Sequence, residues 1–332
     1  MSRLQTIAIV GGGAWGTALA SVAARAGCDV LFWVREEDVA EAVNTHHENT
    51  PFLPGVPLDP KIRATCDMND LVGLDACLLV PPAQHLRLTA EKLAPVLRKG
   101  ATVAICAKGI EQQSGKLMSD VLGEVMPDVT PAVLSGPSFA GDVARGLPTA
   151  VTLACREEGA AQSLAEAIGS TTFRPYWSPD VIGAQIGGAL KNVLAIACGI
   201  VDGKGLGESA RAALTARGFA EMTRFGASLG AARETLTGLS GLGDLILTCG
   251  SPQSRNMSLG RALGAGETLD DILGARTSVA EGVHTAAAVK KIADDRKLDM
   301  PISSAVADIV GGEQDVDGAI AALLARPFTS EQ

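Results

Sequence analysis

The first half of the chain alternates short β-branched runs with helix-forming stretches. The predicted strands cover residues 6–10, 29–34, 76–80, 102–107, 132–135 and 151–154. Helical patterns lie between several of them, at 17–26, 83–97 and 114–126. Strands separated by helices predict a mostly parallel, doubly wound α/β sheet, which binds its ligands at the carboxyl ends of the strands. Residues 44–63 carry four prolines and are predicted to form a rigid surface loop.

Strand signals almost vanish after residue 179, and apolar positions then recur at helical spacing. Helices are predicted at 182–199, 210–229, 259–263, 286–294 and 302–310. We therefore predict an N-terminal sheet domain over residues 1–180 and an all-α C-terminal domain over residues 181–332. A cleft between two such domains is the expected place for a ligand site.

The longest apolar run, Val181–Gly203, has a lysine near its middle. Read as a helix, the run places Lys191 on a small-residue face together with Gly187 and Gly188. Its length suits a membrane span, but its three central polar side chains and its glycines oppose one, so we expect no integral membrane segment. Such a lysine either extends from a core helix to water or has a chemical task.

A glycine-rich turn follows the first predicted strand directly and leads into a helix. Gly11, Gly13 and Gly16 fit the pattern G-x-G-x-x-G. In that pattern the first glycine permits the tight turn, the second lets the backbone approach a pyrophosphate, and the third lets the helix pack on the strand. The phosphates then lie at the helix N-terminus. This context favours a Rossmann-like, dinucleotide-binding domain over a purely structural glycine turn.

The end of the second predicted strand bears on which dinucleotide is bound. An acidic residue there binds the ribose 2′-hydroxyl of NAD, whereas this chain has Arg35, whose guanidinium can accept the 2′-phosphate of NADP. Glu36 and Glu37 follow at once and can reach a ribose hydroxyl. The sequence therefore leaves NAD and NADP both open as the cofactor.

Composition narrows the class of partner. The net charge of -9 argues against general binding of nucleic acid, and no basic block predicts a membrane anchor. The seven cysteines are scattered without a C-x-x-C pair and are predicted to be buried thiols of a reducing cytoplasm. Four histidines show no ligand spacing, so no metal site is expected. The chain begins without a secretory leader pattern, which also favours a cytoplasmic protein.

Seven blocks of sequence follow one another along the chain: TIAIVGGGAWGTALA (6–20), KGI (108–110), SGPSFA (135–140), ALKNVLAIACGIVDG (189–203), GLSGLGDLILTC (238–249), SRN (254–256) and VAEGV (279–283). Together they resemble the bacterial NAD(P)-dependent glycerol-3-phosphate dehydrogenases over nearly the whole chain. The resemblance implies interconversion of sn-glycerol 3-phosphate and dihydroxyacetone phosphate, which supplies phospholipid synthesis. Spacing alone indicates only a two-domain, dinucleotide-binding protein.

The resemblance also implies roles for single residues. Lys191 resembles the proton acceptor of the family, and Lys108 resembles a lysine that contacts both cofactor and substrate. Further substrate contacts are implied for Gly136, Ser138, Asp244, Ser254, Arg255 and Asn256. Cofactor contacts are implied for Gly11, Gly13, Ala14, Trp15, Gly16, Arg35, Lys108, Ala140, Arg255, Val279 and Glu281. We further expect a small-molecule substrate and a homodimer.

The chemistry explains why lysines would be needed. Oxidation of a secondary alcohol requires a base within hydrogen-bond reach of the hydroxyl group, and we predict that neutral Lys191 is this base. In the reverse direction its ammonium group polarises the ketone. Lys108 and the apolar helix are expected to lower the pKa of Lys191, while Asp244 opposes this shift and orients the amine.

The phosphate of the substrate needs several hydrogen-bond donors. Arg255 offers a planar guanidinium, and Ser254 and Asn256 beside it are expected to direct further donors at the same anion. Glu281 either caps a helix or contacts a ribose.

Two other functions stay open at this point. A dehydrogenase of the 3-hydroxyacid or 6-phosphogluconate type also joins a dinucleotide fold to helices and uses a lysine in a K-x-x-x-N-like setting. Here Lys191 and Asn192 are adjacent, and the SRN block suits a phosphorylated triose. A catalytically silent, cofactor-binding regulator would keep the glycine turn without needing the two lysines and Arg255 together, and an assay for turnover separates it from an enzyme.

Overall fold

An eight-stranded sheet organises the first half of the chain. The structure, a computed structural model, describes residues 4–275, 280–328 and 330. The strands are β1 (Thr6–Val10), β2 (Asp29–Trp33), β3 (Arg63–Thr65), β4 (Ala76–Leu79), β5 (Thr102–Ile105), β6 (Thr130–Ser135), β7 (Thr149–Cys155) and β8 (Phe173–Ser178). Their order is β3-β2-β1-β4-β5-β6-β7-β8, and only the β6–β7 pair among them is antiparallel.

The position of β1 creates the binding edge of the sheet. Ile9 pairs with Phe32 of β2 on one side and with Leu78 of β4 on the other, so the strand order reverses at β1. In a doubly wound sheet the ligand crevice lies outside the carboxyl ends of the strands at such a reversal. The ends of β1, β4, β5 and β6 therefore share one edge, as the sequence predicted.

Six helices accompany the sheet. They are α1 (Ala14–Arg25), α2 (Glu37–His46), α3 (Leu86–Leu93), α4 (Met118–Val125), α5 (Ala140–Ala144) and α6 (Glu158–Ile168). The predicted helix over 83–97 is shorter in the structure, because it opens with a 3₁₀ turn and ends before Pro95, which has no backbone N–H to continue the helical hydrogen bonds.

The differences from prediction lie mostly at the edges of the sheet. The strands β3 and β8 and the helices α2, α5 and α6 were not predicted. β8 contains Pro175 and carries Tyr176 and Trp177, both more than half exposed, so it lacks the apolar run of a central strand. The predicted loop over 44–63 begins inside α2 and reaches β3. Cys66 is exposed, contrary to the prediction for all cysteines, whereas the other six are buried.

The described residues of the second half form helices and connecting turns without a strand, as predicted, although the helices at 233–237, 244–250, 269–274 and 316–324 were not predicted individually. Its α-helices are α7 (Val181–Gly203), α8 (Glu208–Leu229), α9 (Arg233–Thr237), α10 (Asp244–Gly250), α11 (Arg255–Gly264), α12 (Leu269–Gly274), α13 (Glu281–Arg296), α14 (Pro301–Val310) and α15 (Val316–Leu324). A π-helical turn at Leu239–Gly243 precedes α10. α7 is long and apolar enough to cross a membrane. However, 94% of its most apolar 18-residue stretch is buried inside the protein, which is the environment of a core helix.

The apolar cores of the two halves share residues. The core around α7 includes Ile110 and Leu117, which precede α4 in the sheet half. In the opposite direction, Val181 and Ala184 of α7 pack in the core on one face of the sheet. The helix α7 therefore belongs to both cores, which fixes its central residues against the binding edge of the sheet. The predicted boundary between residues 180 and 181 stays a prediction.

Candidate active site

A buried carboxylate joins two lysines that come from opposite halves of the chain. Asp244, the first residue of α10, is fully buried. Lys191 Nζ on α7 donates to Asp244 Oδ1 at 2.6 Å, and Lys108 Nζ, which follows β5, donates to Oδ2 at 2.7 Å. The structure therefore brings the three residues predicted to be catalytic within one hydrogen-bonded group.

The surroundings of Lys191 change its acidity. Burial lowers the pKa of Lys191 to about 8, since an ammonium group loses its hydration inside the protein. The carboxylate of Asp244 opposes this shift, and the positive charge of Lys108 adds to it. Cause and direction agree with the sequence-based prediction. A lysine with this pKa holds a substantial neutral fraction near pH 8, so its amine can both accept and release a proton there.

Thr248 is a third partner of Lys191 that the sequence reasoning missed. Its Oγ1 accepts a hydrogen bond from Lys191 Nζ at 3.1 Å and lies 3.3 Å from Asp244 Oδ1. Thr248 stands one helical turn after Asp244 on α10, which places both side chains on the same face. That i, i+4 spacing is the signal by which the sequence could have revealed it.

The turn after β6 contacts the same group of lysines. Gly136 has a φ of +139°, a conformation that favours glycine, and its carbonyl oxygen accepts from Lys108 Nζ at 3.1 Å. Ser138 Oγ donates to that same oxygen at 3.0 Å. The preceding Ser135 has a buried Oγ without a partner among the described residues. The predicted substrate residues Gly136 and Ser138 thus adjoin Lys108 at the binding edge.

Glycines allow α7 to approach this edge closely. A Cβ atom at Gly188 would lie 2.8 Å from Ser135 Oγ and 3.4 Å from Lys108 Cγ, so only a residue without a side chain fits there without displacing them. Gly187 faces the other way, because a Cβ atom on it would lie 2.2 Å from the carbonyl oxygen of Ser240. The predicted small-residue face therefore packs against the sheet half at Gly188 and against the helical half at Gly187.

The Ser254–Asn256 block is arranged differently from the expectation of three donors converging on one anion. Ser254 caps α11, since its Oγ accepts from the backbone N–H of Met257 at 3.2 Å. Asn256 is buried; its Nδ2 donates to Asn192 Oδ1 at 2.9 Å, and its Oδ1 accepts from Gly282 N at 3.0 Å. Among these three residues only Arg255 is exposed.

Asn192, which the site prediction left out, therefore ties α7 to α11. Its Nδ2 also lies 3.4 Å from the carbonyl oxygen of Lys108. Through this side chain the residue next to Lys191 is connected both to Asn256 of the Ser254–Asn256 block and to the backbone of the second lysine. Its position one residue after Lys191 gave no such indication, because adjacent helical residues point in different directions.

The glycine turn has the shape that a dinucleotide requires. Gly11 has a φ of +128°, and a Cβ atom on Gly16 would lie 1.9 Å from the carbonyl oxygen of Gly11, so the turn and the helix are in close contact. At Gly13, by contrast, a Cβ atom would meet nothing within 4 Å. No side chain caps α1, whose first turn includes Ala14 and Trp15. Open space at an uncapped helix N-terminus suits the pyrophosphate of a dinucleotide.

A second feature that suits a cofactor is a pair of buried polar atoms without partners among the described residues: Trp15 Nε1 and Glu281 Oε2. Glu281 begins α13, and its Oε1 accepts from the backbone N–H of Ala83 at 3.0 Å, so it links the helical half to the segment after β4. Burial raises the pKa of Glu281, while the bond from Ala83 and the charge of Arg255 oppose this. Its side chain therefore does not cap its own helix.

The remaining predicted cofactor residues are less closely grouped. Arg35 follows β2, and its guanidinium pairs with the carboxylate of Glu36 at 2.6 Å. Because its side chain is 81% exposed, the guanidinium is accessible to a 2′-phosphate. Ala140 is the first residue of α5, after the turn that contains Gly136. Val279 lies outside the described residues.

Comparison with known proteins identifies the family. The sequence matches two protein-family models: the NAD-dependent glycerol-3-phosphate dehydrogenase N-terminus over residues 6–161 and the C-terminus of the same family over residues 180–321. The chain is 62% identical to a glycerol-3-phosphate dehydrogenase [NAD(P)+] of Parvibaculum lavamentivorans, over 98% of each protein. It is 60% identical to the enzyme of that name from Maricaulis maris, over 100% of this chain and 99% of the relative.

A solved structure agrees with these matches. The crystal structure of glycerol-3-phosphate dehydrogenase from Coxiella burnetii superposes with a TM-score of 0.93 at 38% identity, covering 97% of this chain and 99% of the other. The sequence matches span both halves, and so does the structural match. The chain therefore belongs to the NAD-dependent glycerol-3-phosphate dehydrogenase family.

Proposed function

We propose that this protein interconverts sn-glycerol 3-phosphate and dihydroxyacetone phosphate by hydride transfer with NAD(P)(H), and that Lys191 exchanges the proton of the substrate hydroxyl. The observation that carries the proposal is the buried Lys191–Asp244–Lys108 group at the carboxyl edge of the sheet. The reaction is the one associated with the family, and it supplies glycerol 3-phosphate for phospholipid synthesis.

The proton chemistry follows from the pKa of Lys191. When bound, the nicotinamide cofactor takes up or supplies the hydride at C2 of the substrate. In the oxidation direction, the neutral amine of Lys191 accepts the hydroxyl proton. In the reduction direction, its ammonium form donates a hydrogen bond to the ketone oxygen and then the proton. A pKa of about 8 allows both forms at neutral to mildly basic pH.

Asp244 and Lys108 hold the amine in place and adjust its charge. The carboxylate fixes Lys191 Nζ at 2.6 Å and keeps the ammonium form available despite burial. Lys108 places a second positive charge beside it and is positioned to meet the substrate oxygen as negative charge develops. We assign to both residues contacts with the substrate, and to Lys108 a contact with the cofactor as well.

The remaining contacts are assigned by position. Arg255 is proposed to bind the substrate phosphate and to contact the cofactor, with Ser254 and Asn256 beside it, and Gly136 and Ser138 are proposed to line the substrate side of the edge. The residues proposed to contact NAD or NADP are Gly11, Gly13, Ala14, Trp15, Gly16, Arg35, Ala140, Val279 and Glu281. The open space at Gly13 and the uncapped start of α1 support this assignment for the glycine turn.

Three further expectations, on the domain boundary, the cellular location and the oligomeric state, complete the proposal. We propose a division at residues 1–180 and 181–332, a cytoplasmic location and a homodimer. The scattered free cysteines, without a C-x-x-C pair, support the location. Sedimentation velocity at micromolar concentration measures the oligomeric state directly, and a single species with the mass of one chain would contradict the dimer.

The experiment that tests the reaction follows the oxidation of NADH and of NADPH with dihydroxyacetone phosphate. Glyceraldehyde 3-phosphate serves as a control substrate, and oxidation of 3-hydroxyisobutyrate serves as the assay for the 3-hydroxyacid alternative. Turnover restricted to dihydroxyacetone phosphate supports the proposal. Binding of NAD(P)H without any turnover would favour the silent regulator.

The role of Lys191 has its own test, the pH profile of glycerol 3-phosphate oxidation. For the natural chain, kcat/KM should rise with pH through an ionisation near 8, because the base must be neutral. Lys191→Met should lower kcat by roughly 100-fold or more, the usual contribution of a positioned acid or base, and remove that ionisation. Lys204→Met is the matched control, since Lys204 lies just after α7 and pairs with Asp317 at the surface. A profile that keeps its ionisation in Lys191→Met would contradict the assignment.

A further inference from the structure

A buried asparagine connects the proline-rich loop to the glycine turn. Asn49 lies between α2 and β3 and is fully buried. Its Nδ2 donates to the carbonyl oxygen of Gly12 at 2.8 Å and to Thr17 Oγ1 at 2.7 Å. Its Oδ1 is buried and has no partner among the described residues. The amide group therefore acts on the turn through its two donated bonds.

Thr17 passes the contact on to the next peptide of the turn. The residue is fully buried in the first turns of α1, and its Oγ1 donates to the carbonyl oxygen of Gly13 at 3.0 Å. Two consecutive carbonyl groups, those of Gly12 and Gly13, are thus held from the inner side. Asn49 holds the first directly, and the threonine hydroxyl holds the second together with the backbone N–H of Thr17, which also donates to it at 3.0 Å.

Because the peptide group is planar, holding these two carbonyl oxygens also fixes the direction of two N–H groups, those of Gly13 and Ala14. The described chain has no cis peptide bond, so the N–H of each peptide points away from its C=O. Holding the oxygen of Gly12 inward directs the N–H of Gly13 outward, and holding the oxygen of Gly13 directs the N–H of Ala14 outward in the same way. These N–H groups lie at the uncapped start of α1, beside the open space at Gly13.

We propose that Asn49, acting with Thr17, is a positioning residue for the pyrophosphate of the cofactor. It does not touch the reacting atoms. It fixes the orientation of the Gly13 and Ala14 peptides, so that their N–H groups are ready to bind phosphate oxygens before the cofactor arrives. The inference rests on dinucleotide binding by the glycine turn and is independent of which substrate the enzyme reduces.

The competing explanation is that Asn49 only anchors its loop. In that case its removal lowers stability and leaves the binding of every part of the cofactor unchanged, or weakens all parts equally. A positioning role predicts selective damage, because only ligands that carry a pyrophosphate use the N–H groups of the turn. Ligands with and without that group therefore distinguish the two explanations.

The first variant is Asn49→Leu, which keeps the branched shape and introduces no charge. Equilibrium dissociation constants are measured for NADH, for ADP-ribose and for adenosine, which has no pyrophosphate. We expect the constants for NADH and ADP-ribose to rise about 10-fold, the effect of roughly one charge-assisted hydrogen bond, and that for adenosine to change less than about twofold. At saturating NADH, kcat should stay near that of the natural chain.

A second pair of variants keeps the test decisive if Asn49→Leu does not fold. Thr17→Val removes the hydroxyl with little change of shape, whereas Thr17→Ser keeps it. Thr17→Val should weaken the binding of NADH and ADP-ribose but not of adenosine, and Thr17→Ser should bind all three like the natural chain. Ser21→Ala is the control on the same helix, since its hydroxyl donates to the carbonyl oxygen of Thr17 at 3.2 Å and does not reach the turn.

Two results would overturn the proposal. One is unchanged NADH affinity in both Asn49→Leu and Thr17→Val, whatever their melting temperatures. The other is an equal loss of affinity for adenosine and for ADP-ribose. A failure of the proposed reaction is detected separately, as absence of turnover with dihydroxyacetone phosphate by the natural chain while its NADH binding persists.

Discussion

Arg255 combines an exposed position with a place beside buried polar groups. It begins α11, directly after the Ser254 cap, and its charge lies near enough to Glu281 to oppose the rise in pKa of that carboxyl group. Its two sequence neighbours are buried and hydrogen-bonded within the protein, so they fix its backbone while Arg255 itself is exposed. This arrangement suits a guanidinium that binds a phosphate arriving from solvent.

Replacing Arg255 by lysine keeps the charge and removes the planar fork. We expect Arg255→Lys to lower kcat/KM for dihydroxyacetone phosphate by about 10- to 100-fold, mostly through KM, because a charge-assisted pair of bonds is worth about 1.5–3 kcal/mol. Steady-state kinetics at saturating NADH measure the effect. Arg261→Lys is the control, since Arg261 lies on the same helix, is mostly exposed and pairs with Asp202. Kinetics like those of the natural chain would assign Arg255 to solvent.

Single residues were predictable where the sequence made them anomalous. Lys191 was visible as a charge in an apolar helix, and its lowered pKa has the cause that the sequence suggested. Asp244 gave no such signal, because an acid in a glycine-rich stretch is ordinarily a helix cap, and only the family resemblance selected it. Asn49 was missed because its partners lie 32 to 37 residues away along the chain, whereas Thr248 was missed although its i, i+4 spacing to Asp244 was visible in the sequence.

The central pair of helices is joined by glycines on both sides. Gly199 and Gly203 of α7 face Gly260 and Gly264 of α11. In each helix the two glycines are four positions apart and so lie on the same face. A Cβ atom on Gly260 would lie 2.0 Å from the carbonyl oxygen of Ile196, so the two backbones are in direct contact. This contact fixes how closely α7, which carries Lys191, approaches α11, which begins at Arg255.

The substitution Gly260→Ala should therefore separate the two helices. Although alanine favours a helix, the clash with the α7 backbone should lower the free energy of unfolding by about 1–3 kcal/mol, as overpacking usually does. We also expect a higher KM for dihydroxyacetone phosphate, because Arg255 moves with α11. Urea denaturation and steady-state kinetics measure the two effects. Gly274→Ala, at the end of α12 with open space around its Cβ position, should change neither.

Elements were predictable where burial gave them a clear period. The helix predicted over 182–199 lies inside the observed Val181–Gly203, which ends four residues later, and the central strands β1, β4 and β5 were each found within two residues of their ends. The edge strand β8 was not predicted, because a proline and exposed aromatic residues are more typical of a loop than of a strand. The antiparallel direction of β7 was not predictable either, because strand direction depends on the path of the connection and leaves no period in the sequence.

At the scale of the molecule, the two predicted domains are bound into one structure. Glu281 accepts a hydrogen bond from Ala83, Asn192 lies against the backbone of Lys108, and Asp244 pairs with lysines of both halves. The candidate active site therefore takes its residues from both halves and exists only when they are packed together. The sequence analysis predicted a cleft and, through the family resemblance, placed Lys108 of the sheet half with Lys191 and Asp244 of the helical half. It did not predict the contacts of Glu281 with Ala83 and of Asn192 with Lys108, since these require knowing how the helices pack on the sheet.

Shared cores predict cooperative unfolding. Ile110 belongs to the sheet half by sequence but packs in the helical core, while Val181 does the reverse, so neither half can unfold without exposing apolar surface of the other. Differential scanning calorimetry of the full chain should show one transition, with equal calorimetric and van't Hoff enthalpies if the chain unfolds as a monomer. Ile110→Ala should lower its midpoint without splitting it, as a core truncation costing about 2–5 kcal/mol, whereas Leu88→Ala, 60% exposed, should have little effect. Two separate transitions in the natural chain would mean that residues 1–180 and 181–332 are stable independently.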